Sequence, residues 1–127
     1  MKTLAKVILV AESDAFSREL LSSVLTRSGY HVISAATARE AMDTASREEP
    51  DLILVDVALP DMDGFETCRL LRQSPATETI PTLLMETAAE PGAEEEALLA
   101  GAEGSISKAA ISEELVNVKR KDTRCDG

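Results

Sequence analysis

A chain of 127 residues is about one domain long and can bury a single core without disulfides or structural metals. Its 23 Asp and Glu against 13 Lys and Arg give a formal charge of −10, which repels nucleic-acid phosphate and anionic membrane and argues against direct binding to either. Aromatic residues make up only 2% of the chain, essentially Phe16, Tyr30 and Phe65, so the core is expected to be aliphatic and Ala-rich, and base stacking is an unsuited binding mode.

The elements alternate along the chain. Val7-Ile8-Leu9-Val10-Ala11 is a short continuous apolar run that reads as a buried strand, and it ends in the polar residues Glu12-Ser13-Asp14. Ser13 or Asp14 can cap a helix on which Phe16, Leu20, Leu21, Val24 and Leu25 share one face, until Gly29 stops it. A weaker strand over residues 30–34 follows. Thr37-Ala38-Arg39-Glu40 then has capping-box spacing and opens a helix that buries Ala41, Met42 and Ala45 and ends before Pro50.

Leu52-Ile53-Leu54-Val55 is a third strand without period-2 alternation, as expected when both faces are covered. It delivers Asp56 at its end, followed by Pro60 and Gly64. Phe65, Cys68, Leu70 and Leu71 mark a third helix with Arg69 and Arg72 towards its C-terminus. A polar connection over residues 74–79 leads to a fourth strand over 80–85, with Pro81 confined to its start. Residues 94–100 form a short helix with a poor apolar face, closed by Gly101.

Ser112 with Glu113 and Glu114 signals the start of a last helix carrying Ile111, Leu115 and Val118, and the tail beyond Lys119 is expected to fray. Strand alternating with helix predicts an α/β fold with a parallel, doubly wound sheet. In such sheets ligands sit beyond the carboxyl ends of the strands, which makes Asp56 a candidate site residue. No glycine-rich phosphate cradle follows any strand.

No run is long enough to span a membrane and no signal-peptide core stands at the N-terminus. Cys68 and Cys125 lack metal-ligand companions and read as free thiols in a reducing, cytoplasmic setting. His31 reads as a packed or surface residue, and Glu94-Glu95-Glu96 as a solvated helix face.

The segment Leu52-Ile-Leu-Val-Asp-x-x-Leu-Pro-x-Met-Asp-Gly64 resembles the phosphoacceptor segment of response-regulator receiver domains. The resemblance extends over roughly residues 5–118 of one receiver-like domain spanning 1–127, with 119–127 as a basic tail. It implies a five-stranded parallel sheet with helices on both faces, the receiver (flavodoxin-like) architecture, and it supports a thin fifth strand over 105–107. It further implies that Asp56 takes a phosphoryl group from a histidine kinase or phosphotransfer protein and that a downstream signalling protein reads the result. Magnesium would be held by an acidic pair, by Asp56 and by the backbone carbonyl of Ala58. Lys108 would contact the acceptor carboxylate or its phosphoryl group.

Three positions depart from the family. The acidic pair falls on Glu12 and Ser13, so one carboxylate has become a neutral hydroxyl and Mg²⁺ binding should be weak or absent, with Asp14 as a possible substitute. The fourth strand should end in Thr or Ser facing the phosphoryl group; by count that position is Glu86, unless one inserted residue brings Thr87 there. The proline expected after Lys108 is Ala109, which disfavours a cis bond and gives the loop another path, and Ser105 stands in place of a switching aromatic. If Glu86 faces inward, Lys108 is expected to be held by Glu12, Asp56 and Glu86 together.

Two functions follow. One is a stand-alone receiver in phosphorelay signalling. The other is a pseudo-receiver, a protein-interaction module that works without phosphorylation. Both are signalling modules rather than enzymes. A phosphatase of the haloacid-dehalogenase type would need a second acid two residues after Asp56, where Ala58 stands.

Overall fold

In the computed structural model, residues 5–87 and 90–111 are described. Five strands, β1 (Val7–Ala11), β2 (His31–Ala35), β3 (Leu52–Asp56), β4 (Thr82–Glu86) and β5 (Gly104–Ser107), form one parallel sheet in the order β2-β1-β3-β4-β5. Between them run α1 (Ala15–Arg27), α2 (Ala38–Glu48), α3 (Gly64–Gln73) and α4 (Ala93–Leu99). This is the doubly wound sheet expected from the alternating pattern, with β2 and β4 shifted by one or two residues from the apolar runs.

The lack of alternation in the strands has a direct cause. Successive residues point to opposite faces, and each face has its own apolar core. Leu9, Ala11, Ile53, Val55 and Leu84 join Ala35, Ala38, Ala41, Ala45, Cys68 and Leu71 on one side. Ile8, Val10, Leu54 and Met85 join Leu21, Leu25 and Ile111 on the other. Alanines let α2 lie close to the sheet, which is how a chain with few rings fills its interior.

Helix α1 corrects one expectation. Leu21, Val24 and Leu25 are buried, but Phe16 and Leu20 are 76% and 53% exposed. The buried stripe runs through Leu21, Val24 and Leu25, and Phe16 and Leu20 lie to one side of it, so five apolar residues on one helical face do not share one environment. The caps are local and legible: Asp14 accepts from the Ser17 amide, and Thr37 from the Glu40 amide. Glu40 accepts in turn from Ala36, and Asp63 caps α3 through Glu66 N–H.

The last helix also begins elsewhere than expected. Helical backbone opens at 108–111 directly after β5, and the Ser107 hydroxyl oxygen accepts the Ala110 amide at 3.1 Å as its cap. Ser112, Glu113, Glu114, Cys125 and the tail lie outside the described residues. Among the described residues all peptide bonds are trans and no helix is long and apolar enough to cross a membrane.

Candidate functional site

The strand order places the site. From β1 the chain crosses to β2 on one side and then to β3 on the other, so a crevice opens beyond the carboxyl ends of β1 and β3. Ala11 pairs with Val55 in register, which sets the next residues, Glu12 and Asp56, abreast at that crevice. Both carboxylates are buried, 2% and 5% exposed.

Lys108 reaches them from the far side of β4. Its Nζ stands 2.6 Å from Glu12 Oε1 and 2.5 Å from Asp56 Oδ2. The ammonium thus bridges the two buried carboxylates. Asp56 Oδ1 accepts the Ala58 amide at 2.7 Å.

The three charges shift one another. Burial, and then the neighbouring Asp56 carboxylate, push Glu12 above the usual carboxylate range despite the ammonium. For Asp56 burial works in the same direction, but contacts with Glu12 and Lys108 and the Ala58 amide outweigh it and hold the group below its usual value. Burial opposes the charge on Lys108 as well, and the two carboxylates overcome it, leaving its pKa raised. The result is an ionised aspartate beside an ammonium.

The loop behind Asp56 is held at three points. Gly64 N–H donates to Val57 O at 2.8 Å, and Gly64 approaches so closely that a Cβ there would sit 2.5 Å from Asp56 O and 2.8 Å from Val57 Cα. Asp61 Oδ1 and Oδ2 accept the Ala38 and Arg39 amides at 2.9 and 3.0 Å, which ties this loop to the start of α2. Leu59 is buried in the first core and Met62 packs against it. Neither Gly64's close approach nor the Asp61 tie was foreseen from the residues themselves.

Other candidate residues lie outside the ion cluster. Ser13 is exposed, and its carbonyl accepts from Arg18, which also holds the Glu12 carbonyl. Asp14 is exposed, with its carboxylate engaged by the Ser17 amide, which lowers its pKa. Glu86 is buried, but Lys108's ion pairs among the described residues are with Glu12 and Asp56. Glu86 Oε1 instead accepts the Glu90 amide at 2.9 Å. Thr87 is exposed, as is His31.

Comparison with known proteins agrees with this geometry. The family model for the response regulator receiver domain matches residues 8–120. The polar-differentiation response regulator DivK of Brucella ovis is 31% identical over 105 residues, covering 83% of this chain and 85% of DivK. The structure of chemotaxis response regulator CheY4 of Vibrio cholerae superimposes with a TM-score of 0.78 at 32% identity, covering 94% of this chain and 98% of that one. The receiver domain of sensor histidine kinase PA1611 from Pseudomonas aeruginosa, with a magnesium ion coordinated in its active-site cleft, gives 0.79 at 26% identity over 93% and 97% of the two chains. With its five-stranded parallel sheet and an aspartate, a glutamate and a lysine brought together at the strand ends, the chain belongs to the response-regulator receiver domain family of two-component signalling.

Proposed function

We propose that Asp56 accepts a phosphoryl group from a phosphohistidine on a histidine kinase or phosphotransfer protein, with magnesium held more weakly than a complete acidic pair would hold it. The observation that supports this is the Glu12–Asp56–Lys108 cluster. Asp56 stays ionised at neutral pH, as a nucleophile must, and Lys108 stands 2.5 Å from its Oδ2. In the transfer a carboxylate oxygen of Asp56 bonds to phosphorus as the phosphorus–nitrogen bond breaks. The imidazole nitrogen keeps the electron pair and takes up a proton. Lys108 neutralises charge on the arriving oxygens.

Magnesium, when bound, would neutralise the donor's negative charge. Glu12, Asp56 and the Ala58 carbonyl would hold it here, and two carboxylates abreast at the strand ends are hard oxygen donors of the kind magnesium takes. The second acid is replaced by exposed Ser13, and Asp14 is committed to its helix cap, so one carboxylate ligand is missing from the pair. Calorimetric titration should therefore find weak Mg²⁺ binding that tightens in Ser13→Asp. Equal affinities would mean that another group already completes the shell.

A second reading, the pseudo-receiver, is favoured by Ser13 and by the acid at Glu86. The two separate on treatment with acetyl phosphate followed by intact mass. One added phosphoryl group on the wild type and none on Asp56→Asn is the expected outcome. No label on either protein, with partner capture retained by Asp56→Asn, would favour the pseudo-receiver.

A further inference from the structure

The chain turns from β1 into α1 through Glu12, Ser13 and Asp14, and there each polar group of Glu12 is engaged. Its N–H donates to Ala35 O at 2.9 Å, and its carbonyl accepts from Arg18 Nη1 at 2.8 Å. Glu12 Oε2 accepts the Asp14 amide at 3.1 Å, and Oε1 lies 2.6 Å from the Lys108 ammonium. The same Arg18 nitrogen reaches Ser13 O at 3.2 Å. Arg18 stands in the first turn of α1, where its own N–H donates to Asp14 O at 2.8 Å, so the helix carries a guanidinium back onto the turn that leads into it. Both side-chain contacts are charge-assisted hydrogen bonds, stronger than neutral ones.

We infer that Arg18 is a positioning residue for the crevice: acting through main-chain carbonyls rather than by contact with Asp56, its guanidinium fixes the turn from β1 to α1 and so keeps the Glu12 carboxylate beside Asp56. A buried carboxylate stays where its backbone holds it, and here the backbone on either side of the Glu12–Ser13 peptide is gathered by one cation. Where magnesium binds, the same turn sets how two of its oxygen donors, from Glu12 and Asp56, stand to each other, so Arg18 governs affinity without being a ligand. That consequence rests on the metal role proposed above; the fixed turn does not. Arg72 provides the control. Its Nε donates to Gly101 O at 2.6 Å and its Nη1 to Glu78 O, both ahead of β5 and β4 at the opposite, amino end of the sheet. It too gathers two carbonyls, but far from the crevice.

The test is backbone amide relaxation by NMR on the metal-free full chain, followed by calorimetric titration with Mg²⁺. In Arg18→Met, and in the milder Arg18→Gln, the order parameters of the Ser13 and Asp14 amides should fall from the rigid value of about 0.85 to below about 0.6, with Val10 in the strand unchanged. Arg18→Lys should keep both amides rigid, because the two carbonyls meet a single nitrogen and an ammonium carries three donors. Arg72→Met should lower the melting midpoint yet leave Ser13 and Asp14 as in the wild type. In the Ser13→Asp background, where tighter binding is expected, Arg18→Met should weaken Mg²⁺ by about tenfold or more, the range for a lost outer-shell contact. Rigid Ser13 and Asp14 amides in the Met and Gln variants, or the same loosening in Arg72→Met, would overturn the positioning role. A loosened turn with unaltered Mg²⁺ affinity would overturn its bearing on the site. If Ser13→Asp binds no Mg²⁺ at all, the proposed metal role fails, while the order parameters still decide what Arg18 does.

Discussion

The crevice at β1 and β3 and the edge at β4 and β5 both depend on carboxylates at or near strand ends, yet they use them differently. In the crevice Glu12 and Asp56 share one mobile cation, Lys108, whose ammonium can follow charge from one oxygen to another. At the edge Glu86 and Glu94 hold backbone amides, which cannot leave without moving the chain. A carboxylate paired with a side-chain cation is poised to exchange partners. One bound to a main-chain donor fixes structure.

The largest effect should come from removing the cation. Lys108→Met strands two buried carboxylates and should lower stability by about 2–3 kcal/mol, less than for a fully buried pair because Lys108 is partly exposed. Urea melts read this, and an unchanged midpoint would mean that the crevice is not held by charge. The raised Lys108 pKa sets the pH window. The contribution is complete below the ordinary lysine value of about 10.4 and is lost only as pH rises through the higher folded value. The gap between wild type and variant should therefore persist to at least about pH 10.

Gly64→Ala comes next. The added Cβ would collide with backbone at Asp56 and Val57, not with a flexible side chain, so overpacking of about 1–3 kcal/mol is expected, with a displaced Asp56. Thermal melts and the Ala58 amide chemical shift check both halves. A variant as stable as wild type would show that the crevice backbone yields to the added methyl group.

The smallest effect isolates the second kind of carboxylate within the crevice's own loop. Asp61→Ala removes acceptors for two α2 amides and should cost about 1 kcal/mol, in the range of a lost helix cap. The Ala38 and Arg39 amides hold the Asp61 carboxyl below its usual range. Its contribution is then present above the ordinary aspartate value of about 3.9 and is lost as pH falls through the depressed folded value. The difference between wild type and variant should shrink in that acid window. A difference independent of pH would assign the effect to packing.

Much of this arrangement could be read from the residues. Continuous apolar runs identified buried strands because both sheet faces are covered, and Asp14 and Thr37 announced their helices because a cap acts over three residues. The match of 52–64 to the receiver pattern pointed to Asp56, and spacing pointed to Lys108. Register on the first strand pointed to Glu12. Counting along the fourth strand does not decide whether Glu86 or Thr87 stands at the switch position; the structure buries Glu86 and exposes Thr87.

Other features needed the fold. Phe16 and Leu20 have the helical spacing of core residues, but which part of the α1 face meets the sheet is decided by packing. The tie from Asp61 to Ala38 spans 23 residues, and the Lys108 contacts with Glu12 and Asp56 cross the ends of separate strands. Periodicity and capping are short-range properties that the chain carries in its own order. Which carboxylate meets an ammonium and which meets an amide is set by strand order and register, because only the assembled sheet brings those distant groups within hydrogen-bonding distance.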